Sequence, residues 1–375
     1  MLSYWEKTQL LNYDLIVLGG GITGMFCALE YRKLNPKASI AILERGLFSN
    51  GASTKNAGFA CFGSLTELMD DSKNMDNESL CKIVQMRIDG LALLRETLGD
   101  KNIDLQWKGG HELFFDKTPN ALNQIDHFNE LLKPIFKKKV FYWNNSKIKQ
   151  FGFAEDRVKH IIENPFEGQI DTGMMMRALR SIVNEKDISF FSNVTLTDFD
   201  FSKDQNHLSL KLKNIDFNFH CNNLAICNNA FASQLLPSLK ISPGRGLVIL
   251  TEPIPNLRLE GTFHYQQGYY YFRNIKDRIL LGGGRSVDFD TETTTSFGVN
   301  PKIKNQLIED LQNFIFPSEK VSLDMEWSGI MAFGKDKIPI VKKHQNNIVI
   351  GVKLSGMGVA IGSEVGKKLA MLLKN

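Results

Sequence analysis

The segment YDLIVLGGGITGMFCALEY, residues 13–31, sets glycines between a run of aliphatic residues and a stretch with helical spacing. Each glycine inside a helix costs about 1 kcal/mol relative to alanine. A chain that places Gly19, Gly20, Gly21 and Gly24 where a helix begins therefore needs room there more than it needs helix stability. Asp14–Leu18 is short and apolar, as a strand buried on both faces of a parallel sheet is. The helix after the glycines is predicted to stop at Asn35-Pro36, and SIAILE, Ser39–Glu44, reads as a second buried strand. Together these make a β-α-β unit of about 30 residues.

Gly19, Gly21 and Gly24 satisfy G-x-G-x-x-G, and Glu44 stands about 20 residues beyond Gly24 at the end of the second strand. Each position has a physical task in binding a dinucleotide. Gly19 permits the tight turn, Gly21 lets the backbone approach a pyrophosphate, and Gly24 allows close packing of helix on strand. Ile22 and Thr23 open the helix, whose free N–H groups and dipole face the phosphates. Glu44, followed by Arg45, is placed to accept hydrogen bonds from a ribose diol. A dinucleotide site is expected, but nicotinamide enzymes and flavoproteins share this opening.

The rest of the chain narrows the partners. At 375 residues it suits two domains, and a net charge of +4 over that length selects no acidic partner. Cys27, Cys61, Cys81, Cys221 and Cys227 are scattered, none at metal-ligand spacing, so no metal is expected and the thiols read as reduced. Glu6 and Lys7 fall where a signal peptide needs its apolar run, which gives the expectation of a cytoplasmic protein. No stretch approaches the ~18 apolar residues of a membrane span. KKKVFYWNNSKIKQ is basic with interleaved aromatics, and reads as a solvated face beside a strand rather than a nucleic-acid patch. His111 and His264 read as structural histidines.

Three further stretches discriminate among dinucleotides. GASTKNAG, Gly51–Gly58, is small and polar, suited to a ribityl-phosphate chain; Val194 in FFSNVTLTDF would present backbone groups to an adenine; and GVKLSGMGVAIGSEVGKKLA closes the chain. With the N-terminal fingerprint, this pattern resembles the FAD-dependent oxidoreductases of the D-amino-acid oxidase family, which includes glycine oxidase and sarcosine oxidase. The resemblance runs from Asp14 to the final helix and is most specific at its ends.

The resemblance implies that Ser53, Thr54, Asn56, Ala57 and Gly58 line the pyrophosphate and flavin side. Members that attach flavin covalently at this loop use a histidine where this chain has Asn56, and others use a C-terminal cysteine, of which none follows Cys227. FAD without a covalent link is the expectation. KLSGMG, with Ser355, Gly356, Met357, Gly358 and then Val359, resembles the glycine-rich turn at the flavin pyrimidine. Backbone N–H groups at a helix start there stabilise negative charge on the ring. Where the family usually carries Ala-x-Gly, this chain reads Ala225-Ile226-Cys227-Asn228, and Asn228 or Asn229 is expected to supply the left-handed backbone.

The departure lies at the substrate. The arginine that glycine and D-amino-acid oxidases carry in the segment like EWSGIMAFGKDKIPIV is Met331 here, and the lysine of sarcosine oxidase is replaced by Val359-Ala360. Either Arg273, Arg285 or Lys353 takes over the carboxylate, or the substrate lacks one. In GYYYFR, Tyr269 and Tyr271 share one face of a strand and Tyr270 the other, so one face is a candidate pocket wall.

The expected fold is α/β: a Rossmann-like FAD-binding domain (10–84, 160–232 and 327–375) interwoven with an α+β substrate-binding domain on an antiparallel sheet (85–159 and 233–326). The expected reaction is oxidation of a C–N bond in an amine or amino acid by hydride transfer to flavin N5, giving an imine that hydrolyses. Oxygen or another acceptor then reoxidises the flavin. Three readings stay open beside it: a 2-hydroxy-acid dehydrogenase, an RNA-modifying flavoprotein and a flavin-binding protein without turnover.

Overall fold

A computed structural model describes residues 1–202, 207–345 and 347–374; residues 203–206, 346 and 375 of the expected domain ranges lie outside the described residues. The aliphatic run forms the strand Asn12–Leu18, with Leu15, Ile16 and Val17 fully buried. It pairs in parallel with Ile40–Leu43 on one side and Phe219–Ile226 on the other. Ser189–Phe191 and Ile348–Val352 extend the parallel set. Strands Ile340–Gln345, Leu208–Leu212 and Leu196–Phe201 complete this eight-stranded sheet in antiparallel pairings.

Residues buried on both faces need cover from both sides, and helices supply it on one. Ile22–Leu34 and Gly358–Leu373 pack against each other with almost no side chain between them: a Cβ at Gly366 would lie 2.6 Å from the Thr23 carbonyl oxygen. Asn77–Leu98 joins the same layer, where a Cβ at Gly90 would meet the Ala360 carbonyl at 2.1 Å.

The second sheet is also eight-stranded, in the order Leu323–Phe333, Ser242–Thr251, Arg278–Gly283, Tyr270–Ile275, Thr262–Tyr265, Gly110–Phe114, His160–Asn164, Tyr142–Trp143. Its pairs are antiparallel except Thr262–Tyr265 with Gly110–Phe114. The α/β class with one largely parallel and one largely antiparallel sheet is thus the one expected. The expected ranges 160–232 and 327–375 both begin inside strands of the antiparallel sheet, so the chain crosses between sheets just after His160–Asn164 and Leu323–Phe333.

Register on the second sheet decides what faces the first. His264 pairs with Tyr271, Tyr271 with Gly282, Gly282 with Val248 and Val248 with Trp327, so these five occupy one row of one face. Tyr270 falls on the opposite face, stacked on Tyr265 in a separate aromatic core. The indole N–H of Trp327 donates to the Lys55 carbonyl at 3.0 Å, tying the sheet to the loop after Ile40–Leu43. Among the described residues, no helix is long and apolar enough to cross a membrane.

Candidate active site

Between the two sheets lies a cavity of about 650 Å³, within the ~300–1,000 Å³ usual for ligand sites. One end is the glycine turn. Gly19 sits at φ 108, a conformation that costs an L side chain but not glycine. Gly24 faces away from the cavity and against the turn, where a Cβ would lie 1.9 Å from the Gly19 carbonyl oxygen. Gly24 therefore packs rather than lines, while Gly19, Gly21, Ile22 and Thr23 line the wall.

Glu44 is buried at the end of its strand, and its carboxylate accepts the N–H groups of Gly20 (3.0 Å) and Gly46 (2.9 Å). It orders the turn as well as facing the cavity, and two carboxylate oxygens have capacity for a further donor. Arg45 lies over the Phe231 ring, 3.5 Å from its centroid, beside Val194 on the wall. Ser53 Oγ accepts the Ile22 N–H at 3.0 Å, fixing the GASTKNAG loop to the helix start. Asn56 Oδ1 accepts from the Gly58 N–H and from Thr172 Oγ1, so its amide is a loop brace. Ser53, Asn56 and Ala57 line the cavity; Thr54, bonded to the Ser49 carbonyl, and Gly58 do not.

The turn after Ile348–Val352 carries Lys353 at φ 65, Ser355 at φ 50 and Gly356 at φ 84. Such strain in non-glycine residues persists only where surroundings enforce it. Asn229 enforces it here: itself at φ 47, it accepts the Lys353 N–H through Oδ1 at 3.0 Å. The missing glycine is thus replaced by Asn229, while Asn228 (φ −86) turns to the cavity. Ser355, Gly356, Met357, Gly358 and Val359 all line it.

Buried polar atoms test whether a dinucleotide fits. Thr23 Oγ1, Arg45 Nη2, Asn228 Oδ1 and Ser355 Oγ lie on the cavity wall, are shielded from solvent, and find no hydrogen-bond partner among the described residues. Orphaned donors and acceptors cost about 1–3 kcal/mol each. They are spread from the glycine turn to the C-terminal turn, as a long polar ligand such as FAD requires.

The other part of the cavity is chemically different. Tyr269 and Tyr271 both line it, as does Met331, whose Cε lies 2.9 Å from where a Cβ at Gly246 would stand. Arg285 enters from the end of Arg278–Gly283 and stacks on Phe333, 3.9 Å from its centroid, and on Phe289 at 4.8 Å. Its Nη1 lies 3.1 Å from the Cβ position of Gly244, the strand neighbour of Met331. Arg285 makes no ion pair among the described residues, and burial lowers its pKa against the opposing pull of Tyr269.

Two cations expected here are elsewhere. Arg273 is buried behind the wall with Nη1 3.4 Å from the Gly58 carbonyl, its pKa pushed down to about 10 by burial. Lys353 gives its ammonium to Asp336 at 2.7 Å. Neither reaches the cavity.

Sequence reasoning missed a lysine that does. Lys337 lines the cavity with its Nζ 2.8 Å from Glu67 and 3.0 Å from Asp71. Burial opposes the Glu67 charge, but Lys337 and Arg87 outweigh it and hold the carboxyl down at about 2. Asp71, also desolvated, shares the same lysine with an already ionised Glu67, and its pKa is raised. His264 lines the cavity too, Nε2 3.0 Å from Glu167; burial opposes its charge, yet Glu167 raises its pKa. Beside it, burial and then Glu167 and Glu67 push the Cys61 thiol well up. His111, by contrast, is packed on Phe263 in the core, and burial lowers it to about 4. The local sequence signal here is the capping-box spacing of SLTE, Ser64–Glu67, which marks a helix start and not a charged cluster.

Comparison with known proteins gives these features a setting. No curated protein matches the chain in sequence. The structure superposes on glycine oxidase from Geobacillus kaustophilus with TM-score 0.77 at 20% identity, covering 97% of this chain and 95% of that one. L-proline dehydrogenase from P. horikoshii also gives TM-score 0.77, at 16% identity and 97% and 93% coverage. Iminodiacetate oxidase from Chelativorans sp. BNC1 gives 0.74, at 16% identity and 96% and 95% coverage. At these identities the likeness is one of fold. Residues 14–372 match the sequence family described as FAD dependent oxidoreductase, DAO. The chain belongs to the DAO family of FAD-dependent oxidoreductases.

Proposed function

We propose that the protein oxidises a carbon–nitrogen bond in a small amine or amino acid whose carboxylate is held by Arg285. One observation supports this most: a guanidinium with no ion pair among the described residues faces the same cavity as the dinucleotide turns, beside Met331. Arg285 suits a planar carboxylate because its donors form a fixed fork, and the Phe333 face preorganises it. In this reading residues 10–84, 160–232 and 327–375 form the FAD-binding domain and 85–159 and 233–326 the substrate-binding domain, and Cys61, Glu67 and Lys337 of the first also face the substrate.

FAD, when bound, accepts the two electrons of the C–N oxidation and passes them to oxygen or another acceptor. The residues of the chain do the rest. Thr23, Arg45, Asn228 and Ser355 offer their orphaned atoms to it, and Tyr271 and Phe59, in edge contact at 5.7 Å, wall off water from the reacting carbon. The oxidised substrate is an imine, which water hydrolyses to a carbonyl compound and an amine or ammonia. Non-covalent retention of FAD is part of the proposal, because Asn56 offers no nucleophile and the Cys61 thiol is held protonated by burial.

The His264–Glu167 pair supports a second reading, oxidation of a 2-hydroxy acid, which needs a base for the hydroxyl proton. Glu167 already occupies His264 Nε2 at 3.0 Å, which takes that nitrogen away from a substrate hydroxyl, so the amine reading is preferred. Anaerobic titration of the holoprotein with amines, amino acids and hydroxy acids separates the two. Loss of the flavin absorbance on adding an amine or amino acid supports the proposal. Loss with hydroxy acids alone would replace it by the second reading, and no loss with any of them would leave a flavin-binding protein.

A further inference from the structure

The cavity is charged oppositely at two places. On one side Arg285 is a cation with no ion pair among the described residues. On the other, the helix Leu65–Asp71 brings Glu67, Asp70 and Asp71 together. Behind it Glu112 accepts from Ser64 Oγ and Thr66, and Glu167 pairs with His264. Against these five carboxylates stand Lys337, Arg87 and His264, with Lys73 on Asp70 at the surface. Of these carboxylates Glu67 is the one that its neighbours hold firmly ionised.

Within this group Glu67 and Asp70 line the cavity; Asp70 pairs with Lys73 at the surface, which leaves Glu67 as the inner carboxylate. Its Oε1 takes the Lys337 ammonium. Its Oε2 accepts no hydrogen bond among the described residues and lies at the cavity wall, 3.3 Å from the Cβ position of Gly268. Lys337 is a poor receptor for an anion because one positive charge is already shared between Glu67 and Asp71. It acts as a positioning residue that keeps Glu67 ionised and aimed.

The two poles flank one hairpin turn. Gln266, Gln267 and Gly268 have φ of 50, 58 and 77, a left-handed run that fixes the turn's path. Gly268 touches Glu67, and the next residue, Tyr269, packs edge-on to Phe289, which also carries Arg285. A ligand spanning that turn meets a positive end and a negative end.

We propose that the substrate is dipolar along its length, with a carboxylate on Arg285 and, beyond the bond that is oxidised, a cationic group such as an ammonium or guanidinium on Glu67 Oε2. The inference rests on the amine or amino-acid reading above, in which Arg285 takes the carboxylate. Charge complementarity at both ends favours such a substrate and penalises a neutral or doubly anionic one.

The test uses the holoprotein and the shift of its flavin bands as a binding signal. The probes are ω-aminoalkanoates, plain alkanoates and α,ω-dicarboxylates of three to seven carbons. At one chain length the ω-aminoalkanoate should bind at least tenfold more tightly than the matching alkanoate. Glu67→Gln, which leaves Lys337 paired with Asp71, should bring the two within about twofold, while Arg285→Gln should weaken every carboxylate. A dicarboxylate that binds most tightly, or a preference that survives Glu67→Gln, would overturn the inference. Should Glu67→Gln fail to fold, the wild-type series still decides, since equal binding across the probes at every length is a refutation. Clear length-dependent preference without bleaching by any amine would sink the oxidase reading and keep the two poles. Bleaching by amino acids regardless of distal charge would do the reverse.

Discussion

The Arg285 guanidinium lies 3.9 Å from the centroid of the Phe333 ring, and its Nη1 reaches over Gly244, next to Met331 on the neighbouring strand. A cation from one strand end thus stands beside a residue of another strand that cannot supply it. Stacking gives the guanidinium a partner without consuming its charge, so the fork remains available. Arg285→Lys should raise KM for carboxylate substrates at least about 30-fold, about 2 kcal/mol, because an ammonium on a flexible stem neither stacks nor binds in a fork. The dependence of the bleaching rate on substrate concentration measures it. A KM that does not move would remove Arg285 from substrate binding.

The glycine turn makes a sharper contrast. At Gly24 a methyl group would have to sit 1.9 Å from the Gly19 carbonyl oxygen, and backbone cannot move aside cheaply. Gly51, also near the cofactor loop, has nothing within 4 Å of its Cβ position and an ordinary φ of −107. Gly24→Ala should cost about 3 kcal/mol or more and leave protein without flavin, whereas Gly51→Ala should cost under about 1 kcal/mol and stay yellow. Thermal unfolding with the ratio of flavin to protein absorbance reads both. Equal behaviour of the two variants would contradict the packing argument.

What was legible before the structure follows from sequence distance. The fingerprint, the GASTKNAG loop and the C-terminal turn are each contiguous, so spacing marks Gly19 and the family resemblance marks Ser53 and Gly356, and all three line one cavity. The substrate side is assembled from Cys61, Glu67, His264, Arg285 and Lys337, which share no local pattern. SLTE, Ser64–Glu67, has capping-box spacing, and Ser64 Oγ does accept the Glu67 N–H, but the Glu67 carboxylate leaves the helix for Lys337. Lys353 was plausible by its place in the turn, yet Asp336 holds it, and only three-dimensional proximity distinguishes it from Lys337. His264, read as structural, lines the cavity because strand register sets it in a row with Tyr271.

The depressed Glu67 carboxyl makes acid stability a readout of its ion pair. In the folded protein it titrates at about 2 against an ordinary 4.5. A group with a lowered folded pKa contributes stability that is complete above the ordinary value and is lost as pH falls toward the folded one. Wild-type protein should therefore lose on the order of 2–3 kcal/mol from this group between about pH 4.5 and 2. Glu67→Gln, less stable at neutral pH, should lose less over that window. Urea unfolding midpoints of both proteins at several pH values give the difference, and parallel curves would mean that Lys337 does not stabilise the Glu67 charge.

The cysteines bear on how the flavin is held. Cys61 and Cys227 both line the cavity, so either could reach a reactive flavin position if it were a thiolate. Burial, reinforced by Glu167 and Glu67, pushes Cys61 well up. Cys227, hydrogen-bonded to Cys27 and buried, is also pushed well up. A protonated, desolvated thiol is inert, since the thiolate is the nucleophile. Acid precipitation of the purified holoprotein should accordingly release all the FAD into the supernatant, and Cys61→Ala and Cys227→Ala should release the same fraction. Alkylation by iodoacetamide at neutral pH should leave both residues unmodified in the folded protein, with mass spectrometry of the digested chain locating any adduct. Yellow colour that stays in the acid pellet, and disappears in one of the two variants, would identify a covalent link and overturn the non-covalent reading.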